Sequence, residues 1–279
     1  GGGGWDAETS AALARFAEAN NLPVGASFRC QDYLDNRHPN YVGHVGIGID
    51  PNLGARVRDS DLLIVVGARL GEMTTSGYTL ATPGPVQMAE IVKWLDATLP
   101  EDAIVTNGAG NYATWVHRYF QYKQYKTGLA PTCGSMGYGV PAGIAAKLVH
   151  PERTVVSVSG DGCYMMHGQE LATAVQYGAN VIFLVVNNGM YGTIRMHQER
   201  EYPNRISATE LHNPDFAALA QAYGAHGEVV TRTEDFAGAF ERAQRAGRPA
   251  LIELRVDPEA LTVARSLSQI REAALAAGR

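Results

Sequence analysis

Apolar residues along the chain fall into short dense runs that alternate with stretches of helical spacing. Val- and Ile-rich runs at 103–106, 154–159, 181–186 and 251–256, and an earlier one at 61–67 ending on Gly67, read as buried strands. A shorter strand is expected at Leu22, Pro23 and Val24. Stretches 88–98, 139–148, 168–177, 216–223 and 233–246 read as helices, and 7–19 places Ala11, Leu13, Ala14 and Phe16 on one helical face. Runs that are apolar at every position are buried on both faces. Their alternation with helices predicts an α/β fold, a doubly wound parallel sheet covered on both sides. The densest Pro/Gly cluster after the start is Ala81, Thr82, Pro83, Gly84 and Pro85. The expected organisation is a partial α/β unit over 1–80, a linker over 81–87 and a complete α/β domain over 88–279.

Composition narrows the classes. With 279 residues, 46% hydrophobic and 18% charged, the chain can bury a substantial core. A net charge of -5 argues against an electrostatic nucleic-acid binder. No apolar run reaches the roughly eighteen residues of a membrane helix and no signal peptide opens the chain, so a cytoplasmic protein is expected. Cys30, Cys133 and Cys163 lie far apart without a CxxC pair, which disfavours zinc ribbons, iron–sulfur sites and disulfide scaffolds. The 8 histidines show no metal spacing, and His38 and His44 read as loop surface. The start, Gly1 to Gly4 then Trp5, suggests a piece of a longer polypeptide.

In a parallel sheet ligands bind at the carboxyl ends of strands, and three such junctions stand out. Gly108, Gly110 and Ala113 match the dinucleotide pattern G-x-G-x-x-A after an expected strand. That reading requires an acidic residue about twenty positions on. None occurs between Asp102 and Glu152, so a nicotinamide dinucleotide is excluded. What survives is a glycine turn into a helix N-terminus, able to hold phosphate or to be a plain turn. The second junction is Gly160, Asp161 and Gly162, an exposed carboxylate on a close-fitting backbone that suits Mg²⁺. The third is Asn187, Asn188, Gly189, Met190, Tyr191 and Gly192, where Asn188 offers a carbonyl oxygen. One helix and one strand separate Asp161 from Asn188, which in a right-handed crossover sets the two loops side by side. Together the three loops describe a magnesium–diphosphate cradle.

The pair GDG…NN resembles the signature of thiamine-diphosphate enzymes. The run Gly134, Ser135, Met136, Gly137, Tyr138, Gly139, Val140, Pro141 and Ala142 is similar to the cofactor-pyrimidine loop of the acetolactate synthase and benzaldehyde lyase group. The resemblance covers residues 86–256, and 5–80 is similar to the first part of that group's central domain. It implies Mg²⁺ bound by Asp161, Asn188 and the Met190 carbonyl. It also implies diphosphate contacts at Gly110, Asn111, Tyr112, Gly160, Gly162, Cys163, Tyr191 and Gly192. Gly134 and Met136 would carry the catalytic roles: the Gly134 carbonyl takes the pyrimidine amino group, and Met136 wedges the cofactor into a V that lets it deprotonate itself. The implied activity is an acetolactate synthase-like carboligase or lyase on pyruvate or a similar 2-oxo acid. Alternatives on the same cofactor are a 2-oxo acid decarboxylase, an aldehyde lyase or a non-catalytic cofactor-binding fragment. Flavin-using relatives hold an adenine dinucleotide near Arg69 and many relatives hold none, which leaves FAD open. The family's activating glutamate sits on an N-terminal pyrimidine-binding domain not matched in this sequence, so that domain is expected in trans, and the isolated chain is expected to be nearly inactive.

Several residues near these motifs have plainer readings. Cys163 has no basic neighbour in sequence and reads as a small packing residue. His167 and Gln169 open a helix beside the GDG loop. The run 195–201 reads as a solvated helix face, with lining of the pocket after the third loop as the alternative. An apolar patch around Met136, Tyr138 and Met190, with small residues Gly143, Ala145 and Ala146 on the following helix, suggests a homodimer or homotetramer. Packing of that helix on its own sheet is the alternative.

Overall fold

The computed structural model describes residues 5–27, 30–46, 49–60, 64, 66, 84–263 and 265–278. Most of the expected strand at 61–67, Arg69, and Ala81 to Pro83 of the boundary cluster lie outside them. The N-terminal part contains α1 (Ala7–Asn20), β1 (Val24–Ser27), β2 (Tyr41–Val45) and α2 (Pro51–Arg58). Beyond it come α3 (Met88–Thr98), β3 (Ile104–Asn107), α4 (Ala113–Tyr119), β4 (Gly128–Leu129), α5 (Gly139–Val149), β5 (Val155–Gly160) and α6 (Asp161–Tyr164). The chain continues through α7 (Leu171–Gln176), β6 (Ile182–Asn187), α8 (Gly192–Glu201), α9 (Phe216–Ala222), β7 (His226–Val230), α10 (Phe236–Arg245), β8 (Ala250–Arg255) and α11 (Leu267–Ala276).

Six strands form one sheet in the order β4-β3-β5-β6-β8-β7, every pairing parallel. β1 and β2 form a separate parallel pair. The expected α/β architecture is therefore present. The chain leaves β3 for β4 on one side and returns through α5 to β5 on the other, so the loops after β3 and β5 diverge across a crevice. The apolar runs of β5, β6 and β8 are buried because helices cover both faces. On one face Trp94 stands edge-on to Phe236 and Phe240, both with centroids 5.3 Å away. On the other Tyr164 meets Phe216 perpendicularly at 5.6 Å.

Short elements escaped the sequence reading. β2, β4 and β7, and helices α2, α4 and α6, are too short to show a clear period, and the i, i+3, i+7 set Leu267, Ile270 and Ala274 of α11 went unread. The expected strand at 22–24 begins only at Val24. The expected helix at 168–177 is a 3-10 turn over Gly168–Glu170 followed by α7. In α1 Ala17 is buried with Leu13 and Ala14 half-buried beside it, whereas Ala11 and Phe16 of the expected face are exposed. His44 is likewise not loop surface: it is buried in β2 with its ring 6.5 Å from that of His117. α5 lies on its own sheet. A Cβ on Gly143 would sit 3.2 Å from Thr106 Oγ1 and 3.3 Å from Ser157 Cβ, so the small residue serves the helix–sheet contact.

Two seams tie the parts together. Thr233 N and Oγ1 both donate to the Pro85 carbonyl, at 3.1 and 2.9 Å, and Gln87 N donates to Thr233 Oγ1 at 2.8 Å. The segment ahead of α3 is thus fastened to the turn that opens α10. The buried Asn36 receives Tyr122 N on its Oδ1 at 2.9 Å and donates its own N–H to Tyr122 O at 3.0 Å.

The run 195–201 is a solvated face only in part: His197, Arg200 and Glu201 are exposed, whereas Arg195 and Glu199 are buried. Glu199 is 1% exposed and accepts from Arg195 Nε and Nη2 at 3.0 and 2.8 Å, and from Arg271 Nε and Nη2 at 2.8 and 2.9 Å. This trio pins α11 to α8. Hydrogen bonds from Arg271, followed by Asn204 and Arg195, outweigh burial and hold the Glu199 carboxyl at about 2. A depressed carboxyl contributes stability that is present above its unfolded value of 4.5 and lost as pH falls from there towards 2. We expect the melting temperature to drop over that window, and Glu199→Gln to melt lower at pH 7 with a flatter acid limb, as read by circular dichroism across pH.

Candidate functional site

The three strand-end loops converge on one open cleft. Its lining includes Gly110, Asn111, Tyr112, Met136, Gly160, Asp161, Gly162, Cys163, Asn188, Met190, Tyr191 and Gly192. Of the residues singled out by the sequence, Gly134 does not line it; it turns at φ 78° with its N–H on Pro131 O at 3.0 Å. His167 and Gln169 are exposed and stand outside the lining as well.

Glycines let the loops close on aromatic rings. A Cβ on Gly110 or Gly160 would fall 2.7 or 2.8 Å from the Tyr112 ring, and one on Gly162 would fall 2.6 Å from Tyr191. Tyr112 therefore occupies the space that side chains on two separate loops would need. Its hydroxyl donates to Cys163 Sγ at 3.1 Å, and Gly137 N donates to the same sulfur at 3.1 Å. The thiol joins the loops after β3 and β5 to the segment carrying Met136, which is half-buried against the core. That is a packing and hydrogen-bonding position, as the sequence suggested.

Asp161 opens α6 and, contrary to the exposed carboxylate expected, is 3% exposed because the loops after β5 and β6 close over it. Its Oδ1 accepts from Gly162 N at 2.8 Å, while Oδ2 accepts from Gly189 N and Asn213 Nδ2, both at 2.8 Å. Burial pushes the carboxyl above its ordinary 3.8, and these hydrogen bonds oppose the rise. Asn188 Oδ1 accepts from Met190 N at 3.2 Å, closing a tight turn. The backbone of 209–211 straps this turn: Tyr191 N donates to Thr209 O at 2.8 Å and Leu211 N to Gly189 O at 2.9 Å. Asn111 N donates to Thr193 Oγ1 at 3.0 Å, and that hydroxyl donates to Asn111 Oδ1 at 3.1 Å. The loop after β3 is thereby fixed to the first turn of α8.

The donor set has a definite chemistry. Among the described lining residues there is one carboxylate and no lysine, arginine or histidine. A diphosphate placed there would have no cationic side chain to neutralise it. A divalent cation held by Asp161 and Asn188 would supply the charge, and hard oxygen ligands of this kind suit Mg²⁺. The residues fit the implied pair. Among the described residues no cluster of three or more His, Cys, Asp and Glu offers a rival metal site.

Sequence reasoning missed Asn213, Asn187 as a bonding partner, Thr193 and the apolar wall of Trp115, Val186, Val256 and Leu261. Asn213 stands 52 positions from Asp161, with only a following Pro214 ahead of α9 as a local mark. Nothing local pairs it with that carboxylate. Thr193, directly after Gly192, carried a readable sign as a hydroxyl at a helix start.

Comparison with known proteins agrees with the geometry. Residues 108–254 match the family model "Thiamine pyrophosphate enzyme, C-terminal TPP binding domain", and residues 1–93 match "Thiamine pyrophosphate enzyme, central domain". The large subunit of acetolactate synthase isozyme 2 from Escherichia coli is 24% identical over 322 residues, covering 92% of this chain and 59% of the relative. The acetolactate synthase large subunit of Corynebacterium glutamicum is 33% identical over 177 residues, 61% of this chain and 28% of its own. A thiamine diphosphate-dependent 4-hydroxybenzoylformate decarboxylase from Rhodococcus jostii shares the fold with a TM-score of 0.71 at 23% identity, covering 90% of this chain and 59% of that one. The chain thus spans no more than 59% of the length of these relatives.

The enclosed sulfur gives a direct test of the cleft. Cys133 is exposed, whereas Cys30 and Cys163 are buried. We expect one thiol to react with Ellman's reagent within minutes in the native protein and all three on denaturation. Tyr112→Phe, which removes the hydroxyl bonded to the sulfur, should speed labelling of Cys163, as read by peptide mass spectrometry.

Proposed function

Because the chain belongs to the thiamine pyrophosphate enzymes, we propose that the cleft holds thiamine diphosphate with Mg²⁺ and serves a carboligase or lyase of the acetolactate synthase type acting on pyruvate or a similar 2-oxo acid. The observation carrying this reading is the lone carboxylate of Asp161 in a cleft without basic side chains, beside a second oxygen donor at Asn188. Bound there, thiamine diphosphate supplies the carbon nucleophile for a ketone carbonyl and the ring that accepts electrons as CO₂ leaves.

The chain's own residues would bind, orient and exclude water. Asp161, Asn188 and the Met190 carbonyl would ligate the cation. Gly110, Asn111, Tyr112, Gly162, Cys163, Tyr191 and Gly192 would surround the diphosphate. Met136 would press on the cofactor from the Cys163 side, and Trp115, Val186, Val256 and Leu261 would keep water from the buried end. The roles given to Gly134, at its carbonyl, and to Met136 belong to this proposal, as do pairing with a pyrimidine-binding domain and assembly into a dimer or tetramer. Of the apolar patch expected around Met136, Tyr138 and Met190 only Tyr138 is exposed, the two methionines being half-buried against core side chains; Tyr138, Met165 and Met166 are the exposed apolar side chains that such an assembly could cover. Arg69, to which the FAD expectation attaches, lies outside the described residues. Among the described residues no helix is long and apolar enough to cross a membrane.

The decarboxylase named among the structural neighbours supplies the second reading, a 2-oxo acid decarboxylase on the same cofactor. Calorimetry with thiamine diphosphate and MgCl₂ tests the cofactor: binding is expected for the parent protein and lost in Asp161→Ala, while the two show matching circular dichroism. Unchanged affinity in Asp161→Ala would remove the metal assignment. Incubation with pyruvate then separates the reactions by product, acetolactate for the first reading and acetaldehyde for the second. Cofactor binding with no product would instead mark a cofactor-binding piece that needs a partner domain.

A further inference from the structure

Glu253 lies in the middle of β8, 1% exposed, and the chemistry described so far does not use it. Its Oε1 accepts from Asn187 Nδ2 at 2.8 Å and from Arg255 Nε at 3.0 Å. The other oxygen, Oε2, is buried without a hydrogen-bond partner. Burying a carboxylate between strands costs several kcal/mol in the absence of compensating contacts. The contacts therefore show what the group can do.

A carboxylate only accepts hydrogen bonds, so Asn187 must turn its NH₂ towards Glu253. The Asn187 carbonyl oxygen then faces the opposite way, where it accepts from Gly189 N at 3.1 Å and from Asn213 Nδ2 at 2.9 Å. Those same two donors also reach Asp161 Oδ2, each at 2.8 Å. Asn213 spends its two amide hydrogens on two acceptors, and Gly189 N is shared between the same two. Were the Asn187 amide reversed, its NH₂ would confront two donors, and both would lose an acceptor. The Gly189 turn and the Asn213 side chain would then move away from Asp161.

We infer that Glu253 is a positioning residue: by fixing the polarity of the Asn187 amide it holds Gly189 and Asn213 on Asp161, and so sets the carboxylate and the Asn188 turn for the cation. Arg255, half-exposed at the end of β8, balances the charge of Glu253 from outside. The effect on cation binding rests on the magnesium–diphosphate reading above, whereas the hydrogen-bond relay stands without it.

The test compares Glu253→Gln, which keeps an acceptor for Asn187, with Glu253→Met, which fills a similar space and accepts nothing. Native-state amide exchange at Gly189 is read in the protein without added ligand, and affinity for thiamine diphosphate with MgCl₂ is read by calorimetry. Glu253→Met should accelerate Gly189 exchange and weaken that affinity at least tenfold, and Glu253→Gln should restore both to within threefold of the parent. Parent-like values for Glu253→Met, or equal damage in the two variants, would overturn the inference. If the parent itself binds no cofactor, the functional reading fails while Gly189 exchange still judges the relay. Should Glu253→Met not fold, assignment of the Asn187 side-chain NH₂ by NMR in the parent decides: NH₂ towards Glu253 upholds the inference and carbonyl towards Glu253 overturns it.

Discussion

The sheet is buried on both faces, and most of what this chain can do follows from that constraint. The interior strands β5, β6 and β8 have helices above and below, which leaves few places along them for a polar group to meet a ligand. Chemistry is pushed to the strand ends, and the reversal of winding between β3 and β5 opens those ends into a cleft. The glycines at the loops then settle how near the loops approach. Tyr112 and Tyr191 take up the room that side chains on Gly110, Gly160 and Gly162 would have needed. The side-chain oxygens of Asp161 and Asn188 stand against a wall of rings and backbone, with little freedom to adapt.

Much of this was legible because the signal was local. The apolar runs of β5, β6 and β8 have an unambiguous length, and the glycines around Asp161 and Asn188 have a spacing that a crossover unit explains. Legibility ended where a partner was distant in sequence. Asn213 and Glu253 carry no motif, and their importance depends on a register between strands that no periodicity encodes. α8 shows another limit. Its run of Arg, His, Gln and Glu resembles a wetted face, yet Glu199 is buried because Arg271 arrives from a helix some seventy positions on. Composition cannot distinguish a solvated charge from one neutralised by a remote guanidinium. The notable exception to local legibility is Gly134, readable in the sequence by its neighbours and yet standing outside the cleft lining.

Two buried carboxylates serve the fold in contrasting ways. Glu199 is met by two guanidinium groups and is held well below the ordinary range. Asp32, 5% exposed, accepts from Gly128 N at 3.2 Å, and burial pushes its carboxyl up to about 6. The first secures α11 against α8. The second sits where the N-terminal part meets β4, and its ionised form is the costly one there, so that seam favours mildly acidic conditions.

That seam has a bearing on how the molecule avoids its own kind. β4 is two residues long and ends the sheet, and an unpaired strand at a sheet's margin invites another chain to add itself. Here the Asp32 carboxylate takes the outward N–H of Gly128, and Asn36 takes both backbone groups of Tyr122 just before it. Residues 30–36 thus act as a cover over the margin of the sheet. A chain cut between this segment and α3 would keep its cleft and core yet bare a short, sticky border, so self-association is the cost of trimming the protein to its cofactor-binding half.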